Sequence, residues 1–231
     1  MTAAALPPGQ RAREDFPRFG LWPYADRVPT VDHPVALAVS GDVMASVTIA
    51  DPLAGLPRTE LVADFHCVTT WTHRAVRWSG VSFATFHAER IVAHQREGGA
   101  APNLVVLRGG DGYRTTLPLE DLLAPGVLLA DQLNGGPLPV RHGAPLRLVA
   151  PAHYGYKQVK HLSRLEFWAA PPVLRARGFE FVDHPRARVA YEERGRAAPG
   201  WLLRWLYRPF IPATVRRFAR SVEREGRMAR P

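Results

Sequence analysis

The residues best equipped for chemistry lie in Asp64-Phe65-His66-Cys67-Val68-Thr69-Thr70-Trp71, which holds the single cysteine of the chain beside a histidine. One thiol cannot close an intrachain disulfide. Its remaining roles are a packed small hydrophobe, a nucleophile, or a soft metal ligand. A nucleophile needs a base, and His66 is adjacent. However, Leu61 to His66 has the pattern of a strand running into the thiol, and neighbours on a strand point to opposite faces, so the two side chains should diverge. A zinc site lacks its usual second Cys or His spacing. An inert thiol and a metal centre with one protein thiolate and cofactor-supplied ligands both stay open.

Two further groups could serve such a centre. His142 and Arg147, followed by Tyr154-Gly155-Tyr156-Lys157-Gln158-Val159-Lys160-His161, gather histidine, arginine and two lysines around glycines that expose backbone N–H groups. Guanidinium forks and backbone nests are what a phosphate needs, although solvated surface charges would read the same way. There is no GxxxxGK[ST] loop and no GxGxxG, so ordinary nucleotide phosphate sites have no support. Tyr113, after the glycine-rich Gly109-Gly110-Asp111-Gly112, offers a hydroxyl to a reacting oxygen, or is a half-buried aromatic.

The elements that must position these groups are short. Val35 to Val39 and Ser46 to Ile49 read as a hairpin around Gly41-Asp42. Trp78-Ser79-Gly80-Val81 reads as a turn, and Ser82 as the cap of a helix over Phe83 to His94. Leu104 to Leu107, Leu146 to Val149 and Leu162 to Trp168 read as strands, and Leu119 to Leu123 as a helical turn. Residues 1–15 read as a flexible leader, and Phe16 to Tyr24, with its prolines and aromatics, as an extended arm on the domain surface. Composition shifts after Pro171-Pro172. Residues 171–231 read as a basic extension in which Trp201 to Arg208 is amphipathic at helical spacing.

Composition bounds the function class. The 231 residues suffice for a real core, and the formal net charge of +9 is mostly arginine, concentrated from Arg175 to Arg220. That excess suits an anionic partner: nucleic acid, anionic lipid, a phosphorylated cofactor or an acidic protein. A cofactor-free basic module acting on nucleic acid or membrane through the Arg/Trp-rich segment is therefore the alternative reading. The first residues carry no export signal and no window approaches a membrane span, so the expected compartment is the cytoplasm, with peripheral membrane attachment as a variant.

Phe65-His66-Cys67-Val68-Thr69-Thr70-Trp71, Arg77-Trp78-Ser79-Gly80-Val81, Asp111-Gly112-Tyr113 and Leu133-Asn134-Gly135 occur in the order and spacing of the sulfite oxidase family, the molybdopterin-dependent oxidoreductases. So do His142 to Pro151 and Tyr154 to Lys160. The resemblance runs from about Phe16 to Trp168 and implies an α+β, sulfite-oxidase-like molybdopterin-binding fold of mixed sheets and short helices, occupying residues 16–170. It implies that Cys67 is the thiolate ligand of molybdenum in a molybdenum–molybdopterin cofactor, with Tyr113 near the reactive oxygen. Arg18, His142, Arg147, Gln158, Val159 and Lys160 would hold the pterin and its phosphate. It further implies oxygen-atom transfer to or from a small substrate, with electrons passing through a partner that a membrane could carry, and nucleic acid is not an expected partner. The chain departs from the family at Thr69 and at Thr70 to Thr72. Sulfite-oxidising members place anion-binding arginines shortly after the cysteine, and a reductase branch places a glutamate two residues after it.

Overall fold

The structure, a computed structural model, describes residues 5–30, 35–96, 98–174 and 183–228, with the backbone alone from 222 onward. Two sheets share the work. The first joins β1 (Arg11–Ala12), β4 (Thr59–His66), β5 (Trp71–Ser82), β8 (Leu128–Leu133), β9 (Gly136–Pro137) and β10 (Arg147–Val149). The second has the order β3 (Val47–Ala50), β2 (Ala36–Gly41), β11 (Leu162–Trp168), β6 (Leu104–Gly109), β7 (Arg114–Pro118), with β2 and β11 parallel and the other pairs antiparallel. The helices α1 (Phe83–Phe86), α2 (Leu119–Leu122), α3 (Gly200–Tyr207) and α4 (Phe210–Met228) complete an α+β architecture.

Local chemistry explains the elements. β7 alternates buried and half-buried residues, as a strand with one face on the core should, whereas β6, next to the centre of its sheet, is buried along Val105-Val106-Leu107. Leu37, Val39, Leu107, Leu165 and Phe167 meet Phe83, Phe86, Leu129 and Leu148 in the main core. Ser82 caps α1, its hydroxyl accepting from the Thr85 N–H at 3.0 Å. The helical stretch runs to His94 as expected, but only its first turn is α; a π turn over His87–Ile91 and a 3-10 turn follow.

Three expectations change. Trp78 to Val81 is not a turn but the latter part of β5, where Gly80 lets β8 approach so closely that a Cβ would collide with the Leu129 carbonyl. The leader is partly ordered: residues 1–4 lie outside the described residues, yet Arg11–Ala12 pairs in parallel with β5. The arm enters the interior, where Phe16 lies between Phe65 and His142, with centroids at 5.1 and 4.4 Å. Of the basic extension, 175–182 and 229–231 lie outside the described residues; 183–199 run as turns with one bridge between Arg188 and His153, and α3 and α4 follow. Gly80→Ala is expected to cost about 1–3 kcal/mol or more of stability, read by urea unfolding, because a backbone oxygen cannot step aside for the added methyl.

Candidate active site

β4 delivers the cysteine. A bulge between Ala63 and Phe65 resets its alternation, so that Phe65, His66 and Cys67 are all buried. The chain then reverses: the Cys67 carbonyl accepts from the Thr70 N–H at 3.1 Å, and the Cys67 N–H donates to the Trp71 carbonyl at 2.8 Å. Thr70 sits at φ 81, a costly position for a β-branched residue. The Arg11 N–H holds its carbonyl at 2.9 Å, and Arg208 of the C-terminal region approaches its hydroxyl at 3.4 Å. His66 does diverge from the thiol, its Nδ1 lying 2.8 Å from the Thr72 hydroxyl. That hydroxyl donates to Gln10, whose amide donates to the Cys67 carbonyl at 3.1 Å. This relay fixes the cysteine backbone and leaves the sulfur facing inward.

The sulfur opens on a cavity of about 680 Å³. Burial pushes the Cys67 thiol up; the Thr69 hydroxyl, 3.1 Å from the sulfur, and the charges of Arg194 and Lys160 partly offset this. The sequence-derived candidates divide around this space. Cys67, Tyr113, Arg18, Gln158 and Lys160 line it. His142, Arg147 and Val159 stand behind its wall. Val159 is core, and His142 stacks on Phe16, held neutral by burial and the nearby charges of Lys160 and Arg147, with a pKa of about 3. Arg147 is fully buried over the Trp78 ring at 4.7 Å, donating to the carbonyls of His142 at 2.8 Å and Leu148 at 3.3 Å. Lys157, counted with the basic cluster, is spent internally on Asp183 at 2.7 Å and the Thr115 hydroxyl at 3.1 Å.

Lys160 faces the cavity, in company with Arg18, Asp111 and Asp183. Its ammonium donates to the Phe19 carbonyl at 3.0 Å, and no carboxylate is within ion-pair distance of it among the described residues. Desolvation, with the like charges of Arg147 and Arg18, pulls it down to about 7. A buried cation in that state is completed by an anion. Gln158 is anchored through its amide to the His153 carbonyl at 3.0 Å, and Tyr113 donates to the Tyr156 carbonyl at 2.6 Å.

The sequence reading missed the far wall. Tyr24 of the arm and Leu206, Tyr207, Phe210, Thr214 and Phe218 of α3 and α4 close the cavity. Trp22 donates to the Thr214 hydroxyl at 2.8 Å and Arg18 to the Ser221 hydroxyl at 2.7 Å, which ties arm to helix. The Tyr207 ring lines this wall, and its hydroxyl is buried with no hydrogen-bond partner among the described residues. The signal in the sequence was the amphipathic spacing of 201–208, continued over 215–222, which suits an extension that packs on the domain or docks elsewhere but does not name a cavity wall.

With this geometry in place, comparison with known proteins identifies the family. The sequence model of the oxidoreductase molybdopterin binding domain matches residues 25–173, more than half of the chain. The chain belongs to the molybdopterin-binding oxidoreductases of the sulfite oxidase family. It is 35% identical over 172 residues to the uncharacterized oxidoreductase YuiH of Bacillus subtilis, covering 70% of this chain and 78% of that protein. It is 29% identical over 202 residues to the catalytic subunit MsrP of a protein-methionine-sulfoxide reductase from Xanthomonas campestris, covering 77% of this chain and 62% of the relative. Its fold matches the sulfane dehydrogenase SoxCD of Paracoccus pantotrophus with a TM-score of 0.56 at 22% identity, over 70% of this chain and 45% of the other. The cofactor-free reading gives way to this match. The matched region ends at 173, so the wall from α3 and α4 lies outside it.

The Lys160 ammonium makes a signed prediction. Its folded pKa lies below its unfolded value, so the unfolded chain binds more protons between about pH 7 and 10.5. Stability of the cofactor-free protein should therefore rise with pH across that window. Lys160→Met should flatten this component of the slope in denaturant unfolding followed against pH.

Proposed function

We propose that the chain is the catalytic core of a molybdenum–molybdopterin oxidoreductase that reduces a sulfoxide, with methionine sulfoxide as the leading substrate class. The observation that carries this reading is the inward-facing Cys67 sulfur beside a cavity that also presents the Lys160 ammonium and an aromatic wall. The donor set fits the cofactor. A soft thiolate suits molybdenum, and among the described residues no group of three or more His, Cys, Asp or Glu is placed to hold a metal, so one at Cys67 would take its other ligands from the pterin. Lys160, with Gln158 beside it, suits the pterin's anionic end. Arg147 and His142 would act from behind, by shaping the loops that carry those residues.

When bound, the cofactor supplies the two-electron redox change and the acceptor for oxygen. The overall reaction consumes a sulfoxide, two protons and two electrons and yields a thioether and water. The protein residues have separate tasks. Thr69 hydrogen-bonds the Cys67 sulfur and tempers its donor strength. Tyr113 is fixed by its bond to the Tyr156 carbonyl and by edge contact with Tyr24 at 5.3 Å, and it presents its hydroxyl group at the cavity wall. The aromatic wall from the arm and α4 excludes water and accepts an apolar thioether or sulfoxide flank. Thr70 to Thr72 stand where sulfite-oxidising members carry arginines, so the basic side chains on this cavity are Lys160 and Arg18 and the sulfite reading has less support. Electrons would come from a separate redox partner, and the resemblance to MsrP supports this substrate class.

Protein purified from a host that makes the cofactor should contain stoichiometric molybdenum by elemental analysis, and its absence would sink the reading. Cys67→Ser should lower methionine sulfoxide reduction by reduced viologen at least about a hundredfold.

A further inference from the structure

α3 is built the wrong way out for a helix that packs on a protein. Of its eight residues only Leu203 is buried, while Trp201, Leu202, Trp205 and Leu206 are 57%, 48%, 60% and 60% exposed, and Phe210 at the start of α4 is 51% exposed. These positions recur at i, i+1, i+4, i+5 and i+9, which puts them on one side of a continuing helical path. An isolated exposed apolar residue needs no explanation, but a contiguous row of two tryptophans, two leucines and a phenylalanine does.

The charge around the row is of one sign. From Gly200 to Ser221 the sequence has arginines at 204, 208, 216, 217 and 220 and no acidic residue. Arg208 lies over the Trp205 ring at 4.7 Å, and its pKa is lowered by burial and then by the neighbouring charges of Arg11, Arg204 and Arg194. Arg204 and Arg217 reach Glu192 and Asp26, whereas Arg216 and Arg220 are exposed and make no ion pair among the described residues. Tryptophan beside arginine on a helix with an outward apolar face is the composition of an interfacial element, whose rings settle among lipid headgroups while the guanidinium groups meet phosphate. Eight residues are about 12 Å long, far too short to span a bilayer.

We propose that the outer face of α3, continued by Phe210 and the arginines of α4, docks on an anionic phospholipid surface. The proposal stands apart from the cofactor assignment, since none of its residues needs the metal. Leu206 and Phe210 also line the cavity, so docking sets the helical wall of the candidate active site at the bilayer surface.

The test is flotation of the full-length protein with vesicles of phosphatidylcholine alone or mixed with phosphatidylglycerol. Binding is expected to the mixed vesicles, to weaken with added salt, and to be slight on the neutral ones. Trp201→Ser combined with Trp205→Ser should reduce the bound fraction at limiting lipid at least about tenfold, while Val62→Ser, on a similarly exposed apolar residue elsewhere, should not change it. Arg216→Glu with Arg220→Glu supplies an independent variant that should lose binding through charge alone. No flotation with anionic vesicles at low salt, or undiminished flotation of both variants, overturns the proposal. So does a dimer in light scattering that the tryptophan variant converts to monomer, because the face would then belong to a second copy of the chain.

Discussion

A single buried guanidinium organises the wall behind the cavity. Arg147 lies between the rings of Trp78, at 4.7 Å, and Phe65, at 5.8 Å, with its N–H groups turned to backbone carbonyls of two different loops. Removing such a charge from water is expensive, and it is tolerated here because aromatic faces and carbonyl dipoles replace hydration. The return is geometric. The planar fork holds the His142 carbonyl, and at longer range the Gln158 carbonyl, in fixed relation to β10, and β10 is paired through β8 and β5 to the strand that ends at Cys67. A lysine could carry the same charge but not the same fork.

That arrangement also explains the electrostatics of the cavity. Arg147 from behind the wall and Arg18 from the cavity lining bear on Lys160, and His142 and His161 are driven neutral by burial, to about 3 and about 4. The basic groups on the cavity are therefore confined to Lys160 and Arg18 and are not spread over a diffuse basic face. The sulfur of Cys67, whose own charge is disfavoured by burial, lies on the same cavity. A ligand that is anionic at one end and metallic at the other relieves both strains at once.

Much of this was legible in the sequence where the signals are local. The strand ending at Cys67, the divergence of His66, the Ser82 cap and the strands at 104, 147 and 162 all follow from alternation, capping and glycine punctuation. Gly80 misled for a physical reason: a glycine that admits a neighbouring backbone looks, in one dimension, the same as a glycine that turns the chain. Arg147 was expected to hold the cofactor phosphate, whereas its side chain serves carbonyls and aromatic rings, because a sequence shows a guanidinium but not what it faces. The largest omission, the wall from Tyr207 to Phe218, arises from contacts between residues nearly the whole chain apart. No periodicity encodes such contacts, and the amphipathic pattern of that region is spent on one side against the cavity and on the other against the exterior.

The knots between arm and tail have a consequence for how the protein is made. Arg18 meets Ser221 across 203 positions, and Trp22 meets Thr214 across 192. While the polypeptide is still emerging from the ribosome, the sheets can pair and the cysteine turn can form, but the cavity lacks a side until the final helix arrives. Contacts of such long loop closure form late. A bulky guest therefore has a period in the life of each new chain when its seat is built and the last wall is still missing.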